Sequence, residues 1–299
     1  MTERPIRPAH RSGGRRNRWL LGVGLIALAL ISLGLFLNSR GGIDSPGEWL
    51  VDNYGNDRKR IEIASDAVGK TLPVEVLLPK GHKKSDGRPL LVFLHGRGTP
   101  PDRLSSSAML KALADAGSDA PIVALPYGDE ASYWHDRADG DWARYVNDEV
   151  IPQVSKKFGA DDKRLAIGGI SMGGFGAFNL ARLNPGKFCA VGGHSPALWL
   201  SAGETAEGAF DNAEDFADND VVAIARNQPL PFGSARLWLD YGDEDPFGAG
   251  DRAMTAALTQ SGADFTAKTW PGEHETAYWD AHFGDYMRFY TKALSDCDG

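Results

Sequence analysis

Residues 165–170 (Leu-Ala-Ile-Gly-Gly-Ile) form a short apolar run that breaks at Ser171 and resumes as the helical pattern Met172-Gly173-Gly174-Phe175-Gly176-Ala177-Phe178-Asn179-Leu180. A strand that becomes a helix across one residue must turn sharply there, which strains that residue's backbone and lifts its side chain clear of the sheet. Gly169 and Gly173, two positions to either side, lack the Cβ atoms that would block so tight a turn. A helix starting at Ser171 also aims its first amides at any negative charge forming on a group bound there. This spacing predicts Ser171 as a nucleophile and the Met172 amide as one donor to an oxyanion.

The rest of the chain supplies a matching frame. Apolar runs at 72–78, 90–95, 121–125, 165–170, 188–192, 237–241 and 265–270 have strand length and are bounded by Gly or Pro. Helical periods at 142–158, 173–183, 252–260 and 279–294 fall between or after them. Strands alternating with helices predict an α/β fold, a mainly parallel sheet covered on both faces. In such sheets reactive groups gather at the C-terminal ends of strands.

A serine hydroxyl needs a histidine within hydrogen-bonding reach, and that histidine needs a carboxylate to orient it. Where an elbow of this kind occurs, the partners follow in the order Ser, acid, His, which sets aside His10, His82, His95 and His135. His194 precedes every acid at a later strand end and reads as a wall or supporting group. His282 falls inside the last helical segment, whereas His274 sits in the loop Trp270-Pro271-Gly272-Glu273-His274 and is the expected base. The acid should follow the run 237–241, in Asp240-Tyr241-Gly242-Asp243-Glu244-Asp245-Pro246. Asp245 is preferred because Gly242 turns the strand outward and Pro246 stiffens the exit; Asp243 is second. The loop His95-Gly96-Arg97-Gly98 after the run 90–95 is expected to give a second oxyanion donor, the Arg97 amide. Trp134 and Trp199 are candidate apolar walls of a substrate pocket.

Taken together these residues resemble the esterase D-like branch of the α/β-hydrolases, relatives of S-formylglutathione hydrolases, feruloyl and acetylxylan esterases and the secreted mycolyltransferases. The resemblance spans about residues 70–295. It rests on Leu94-His95-Gly96, Gly169-Ile170-Ser171-Met172-Gly173-Gly174 with Gly176-Ala177, Asn184-Pro185 before Phe188, Gly242-Asp243-Glu244-Asp245-Pro246, and Pro271-Gly272-Glu273-His274 with Tyr278-Trp279. It implies the α/β-hydrolase fold and a triad of Ser171, Asp245 and His274. The family's more usual Gly-Gly-His reads Gly272-Glu273-His274 here. The implied activity is carboxylic ester hydrolysis through an acyl-enzyme. Acyl transfer of the mycolyltransferase type, with the same triad, is the alternative, and a non-catalytic binding module on a hydrolase scaffold the third reading.

The formal net charge is −8, but residues 1–18 carry six Arg and one Glu and so hold +5, leaving −13 on the remainder. So acidic a body is expected to repel nucleic acid. Residues 19–37 carry no charge and would extend roughly 28 Å as a helix, enough for a bilayer core. The flanking arginines predict a cytoplasmic tail over 1–18, a transmembrane signal-anchor over 19–37, a linker over 38–52 and an extracytoplasmic catalytic domain over 53–299. A cleaved signal peptide is the competing reading, and Arg15-Arg16 also resembles a twin-arginine export signal. Cys189 and Cys297 either pair in an oxidising compartment or remain separate thiols. No cofactor is expected, and the lack of His-Glu-x-x-His or paired-Cys spacing argues against a metal.

Overall fold

A computed structural model of the chain describes residues 50, 51 and 53–297. The basic tail, the expected membrane span and most of the expected linker lie outside the described residues. No helix among the described residues is long and apolar enough to cross a membrane.

Nine strands form one sheet: β1 (Leu50–Val51), β2 (Asp57–Ser65), β3 (Lys70–Leu78), β4 (Pro89–Leu94), β5 (Ile122–Pro126), β8 (Asp161–Ile170), β9 (Ala190–His194), β10 (Arg236–Gly242) and β11 (Phe265–Trp270). A separate two-stranded ribbon pairs β6 (Asp136–Arg137) with β7 (Gly140–Asp141). The order in the large sheet is β1-β2-β3-β5-β4-β8-β9-β10-β11. From β5 onward every pairing is parallel, while β1, β2, β3 and β5 pair antiparallel. Burial follows from that arrangement. The parallel strands β5 and β9 are buried at every residue, whereas β2 alternates buried and exposed positions because its outer face meets water.

Helices cover both faces. On one face lie α1 (Ser107–Asp115) and α7 (Thr276–Ser295), packed over Leu77, Leu91, Phe93 and Val123. The other face carries α2 (residues 142–158), α3 (Met172–Leu183), α5 (Val221–Asn227) and α6 (Gly248–Ser261). Helix α2 runs from Trp142–Arg144 through a π-helical stretch, Tyr145–Val150, into Ile151–Phe158. A short α4 (Ala213–Asp218) precedes α5, each capped by a side chain: Asn212 Oδ1 accepts from Glu214 and Asp215, and Asp220 Oδ1 from Val222 and Ala223.

All seven expected strands and four expected helices are present, with ends shifted by a few residues. Strand β2 is not anticipated, because Asp57-Arg58-Lys59-Arg60 hides the alternation that begins at Ile61. The linker expected over 38–52 is corrected at its end: Leu50 and Val51 already pair with Arg58 and Asp57. Short helices α1, α4 and α5 also escape the periodicity, being too brief to show one.

Cys189, one residue before β9, is bonded to Cys297 beyond α7, with Cα atoms 5.9 Å apart. The bond joins positions 108 residues apart and so pins the end of the last helix to the start of β9, the third strand from the β11 edge. In the chain-entropy model, closing so long a loop constrains the unfolded chain by roughly 5 kcal/mol. Replacing Cys297 with Ser should lower the urea midpoint to the level of the reduced wild-type protein, with no further loss when reductant is added to the variant.

Candidate functional site

The elbow is built as its sequence requires. Ser171 has φ 56° and ψ −116°, outside the regions favoured by side-chain-bearing residues. Three backbone bonds hold it: its N–H donates to His194 O (3.0 Å), and its carbonyl accepts from Phe175 N–H and Ala197 N–H, both at 3.0 Å. A Cβ on Gly173 would stand 2.1 Å from Leu94 O, and one on Gly169 would stand 2.5 Å from the Gly173 carbonyl carbon. Both positions therefore have to be glycine.

Ser171 Oγ lies 2.8 Å from His274 Nε2, and His274 Nδ1 lies 3.0 Å from Asp245 Oδ2. The Asp245 side chain is fully buried and accepts a second bond from the Phe247 amide at 2.8 Å. Burial pushes its carboxyl up, but the His274 hydrogen bond and charge outweigh this and hold it below the usual carboxylate range. An ionised carboxylate on Nδ1 keeps a proton there and leaves Nε2 free to take one from the serine. Phe247 and Trp279 pack against the imidazole, at 4.9 and 5.1 Å between ring centres.

Asp243 has a different task. It is exposed, and its carboxylate accepts from Gly272 N–H at 2.9 Å, bracing the loop that carries His274. Asp240 is the unexpected residue. Completely buried, it takes bonds from His194 Nδ1 (2.6 Å), Trp238 Nε1 (2.6 Å), Tyr286 (2.8 Å) and Tyr278 (3.0 Å). His194 Nε2 in turn meets the Tyr290 hydroxyl at 2.9 Å. Burial and the Asp240 charge push the Tyr278 and Tyr286 hydroxyls up, so both remain donors. Asp251, also buried, is pushed well above the carboxylate range by burial and then by the charges of Asp245 and Asp240. The sequence signal for this network is a charged residue inside an otherwise apolar strand, Leu237-Trp238-Leu239-Asp240.

Ser171 and His274 open into a cleft of about 560 Å³ lined by Gly96, Arg97, Thr99, Ile170, Trp279 and Phe283 among others. Gly96 comes so close that a Cβ there would stand 3.4 Å from Ser171 Cβ. Met172 is the first residue of α3, where the helix supplies no carbonyl to its amide. A larger open hollow, about 730 Å³, surrounds the disulfide at the opposite strand ends and holds none of these groups.

The expected pocket walls need correction. Trp134 is wholly buried, with its ring against Gly128 and Gly176 and its indole N–H on His95 O at 3.2 Å, so it cannot line an open cleft. Trp199 is half-buried among Tyr133, Phe210 and Phe247, and meets the site only through Phe247. His282 stacks on Trp270 at 3.9 Å and is a packed histidine, as its place in the helix suggests. No group of side chains suited to a metal occurs among the described residues.

The fold has known counterparts. The chain superposes on a ferulic acid esterase with a TM-score of 0.71 at 21% identity, covering 81% of this chain and 100% of that one. It superposes on an S-formylglutathione hydrolase from Agrobacterium tumefaciens with a TM-score of 0.68 at 16% identity, covering 81% and 97%. At these identities the likeness establishes the α/β-hydrolase fold. In sequence the chain is 24% identical over 275 residues to Esterase MT1326 of Mycobacterium tuberculosis, covering 77% of this chain. It spans about six tenths of that relative's length, 59%. Residues 65–290 match the sequence model of the Esterase family, and the chain belongs to that family.

Proposed function

We propose that the chain is a serine ester hydrolase, with Ser171, His274 and Asp245 as its triad and an extracytoplasmic carboxylic ester as its substrate. The observation that carries the reading is the hydrogen-bonded relay from Ser171 through His274 to Asp245 on a strained elbow, in a member of the Esterase family. Ser171 Oγ attacks the ester carbonyl while His274 Nε2 takes its proton. His274 then returns that proton to the departing alkoxide, leaving an acyl group on Ser171. Water repeats the sequence, with His274 again as base, and frees the acid. The amides of Met172 and Arg97 are assigned to the oxyanion, which both intermediates carry on the former carbonyl oxygen. An alcohol in place of water would give acyl transfer with the same groups.

The reading places the catalytic domain outside the cytoplasm, tethered by residues 19–37. The Cys189–Cys297 bond supports this, since disulfides persist in oxidising compartments.

Ser171→Ala should abolish turnover of p-nitrophenyl esters and labelling by a fluorophosphonate without lowering the melting temperature; activity above about 1% of wild type would refute the assignment. Asp245→Asn should lower kcat by up to about 10⁴-fold, because an amide favours the wrong His274 tautomer. Asp243→Asn should cost far less, since that side chain braces a backbone amide instead; a reversal of the two effects in steady-state kinetics would exchange their roles. For the topology, protease added to intact spheroplasts should remove the catalytic domain, and full protection would disprove an external location.

A further inference from the structure

His95 precedes Ser171 in the chain and is buried against the loop beside it. Its Nε2 lies 2.9 Å from the Gly128 N–H, which can only donate, so Nε2 is the acceptor. The ring proton therefore sits on Nδ1, which lies 2.8 Å from Gly96 O and donates to it. The Gly96 carbonyl belongs to the same planar trans peptide as the Arg97 N–H, and the two point in opposite directions. Gly96 O also accepts a longer bond from the Thr99 N–H at 3.3 Å, so the shorter His95 bond is the second of two that fix this carbonyl and with it the amide. Trp134 acts one peptide earlier: its indole N–H donates to His95 O.

We infer that His95 is a positioning residue for ester hydrolysis, holding the Gly96–Arg97 peptide so that the Arg97 N–H faces the oxyanion, with Trp134 clamping the preceding peptide. The inference rests on the proposed triad and oxyanion assignment and adds to them the groups that preorganise one donor. Preorganisation matters because a donor that must rotate toward the developing charge gives back much of its stabilisation.

The surroundings keep the imidazole in the required form. It stacks on Tyr127 at 5.4 Å between ring centres and meets the Trp134 ring edge-on at 5.1 Å. Burial lowers its pKa to about 4, against smaller upward pulls from the Gly96 hydrogen bond and the Asp129 charge, and Asp129 is itself paired with Lys70. Nε2 therefore stays free to accept from Gly128 at neutral pH. The clamp also accounts for the backbone at Tyr133 and Trp134, both with positive φ (50° and 58°), and for Gly176, where a Cβ would stand 2.5 Å from Trp134 Cβ.

The test compares an ester with its thiono analogue, in which sulfur replaces the carbonyl oxygen and accepts amide hydrogen bonds poorly. In the full-length protein, His95→Phe keeps an aromatic ring but removes both ring hydrogen bonds. It should lower kcat for p-nitrophenyl acetate by about 10²–10³-fold, the loss expected for one oxyanion donor, with KM within twofold. The thiono ester makes little use of that donor, so the oxygen-to-sulfur rate ratio should fall by a similar factor. His95→Asn, whose amide nitrogen can reach Gly96 O in place of Nδ1, should retain at least tenfold more of both kcat and ratio than His95→Phe. Trp134→Phe should move both in the same direction by less. Unchanged kcat in His95→Phe, or an equal fall on both esters with the ratio preserved, overturns the inference; so does an Asn variant no better than Phe. If His95→Phe does not fold, the Asn and Trp134→Phe variants decide by the same ratio. Failure of the triad reading would show separately, as wild-type turnover that survives Ser171→Ala.

Discussion

The strained backbone at Ser171 is the constraint around which the rest of the molecule is arranged. A non-glycine residue at φ 56° and ψ −116° costs on the order of 1–3 kcal/mol and persists only where its surroundings hold it. The hold comes from three directions. His194 O at the end of β9 receives the Ser171 amide, the first turn of α3 and the loop at Ala197 bond its carbonyl, and the β4 strand end presses close enough to forbid a side chain at Gly173. The half-buried Ser171 is thus held at the cleft because four neighbouring elements are packed around it without slack.

A second constraint lies directly beneath. Asp240 carries a carboxylate into the sheet interior, where an unpaired charge would cost several kcal/mol. Four donors surround it, and they come from β9, β10 and α7. Strands and helix are thereby tied together at the level where β9 touches Ser171 and where α7 begins, two residues after His274. The network places one buried charge close behind the relay without contributing to the relay itself. Asp251 completes the picture: burial, and then the neighbouring Asp245 and Asp240, push its carboxyl well above the usual range.

What could be read in advance follows from which signals are local. The elbow is a contiguous strand, turn and helix, so Ser171, Met172 and the need for glycine at 169 and 173 are legible residue by residue. Asp245 and His274 could be placed because each follows a strand with its own turn residues. Trp134 has the sequence signature of a pocket wall, because a tryptophan near a strand end looks the same whether it faces the cleft or the interior. Its close fit to Gly128 and Gly176 settles the matter, and Gly176 lies far from it in sequence. Strand β2 was missed for the opposite reason: an edge strand faces water on one side, and its charged residues mask the buried alternation.

The sequence by itself determined the order of the main elements, the elbow and the choice of Ser171 and His274, since all depend on short-range pattern and chain order. Only the tertiary structure decided which carboxylate in the run from Asp240 to Asp245 meets the imidazole. Asp243, Asp240 and Asp245 lie within six residues, yet one braces a loop amide, one anchors a buried network and one orients His274. Their division of labour depends on which way each side chain leaves a turning strand and on partners 29 to 46 residues away. The pairing of Cys189 with Cys297 and the clamp of His95 on Gly96 belong to the same class. Hydrogen-bond and disulfide geometry is set by distances of a few ångströms between elements, and no spacing along the chain encodes those distances.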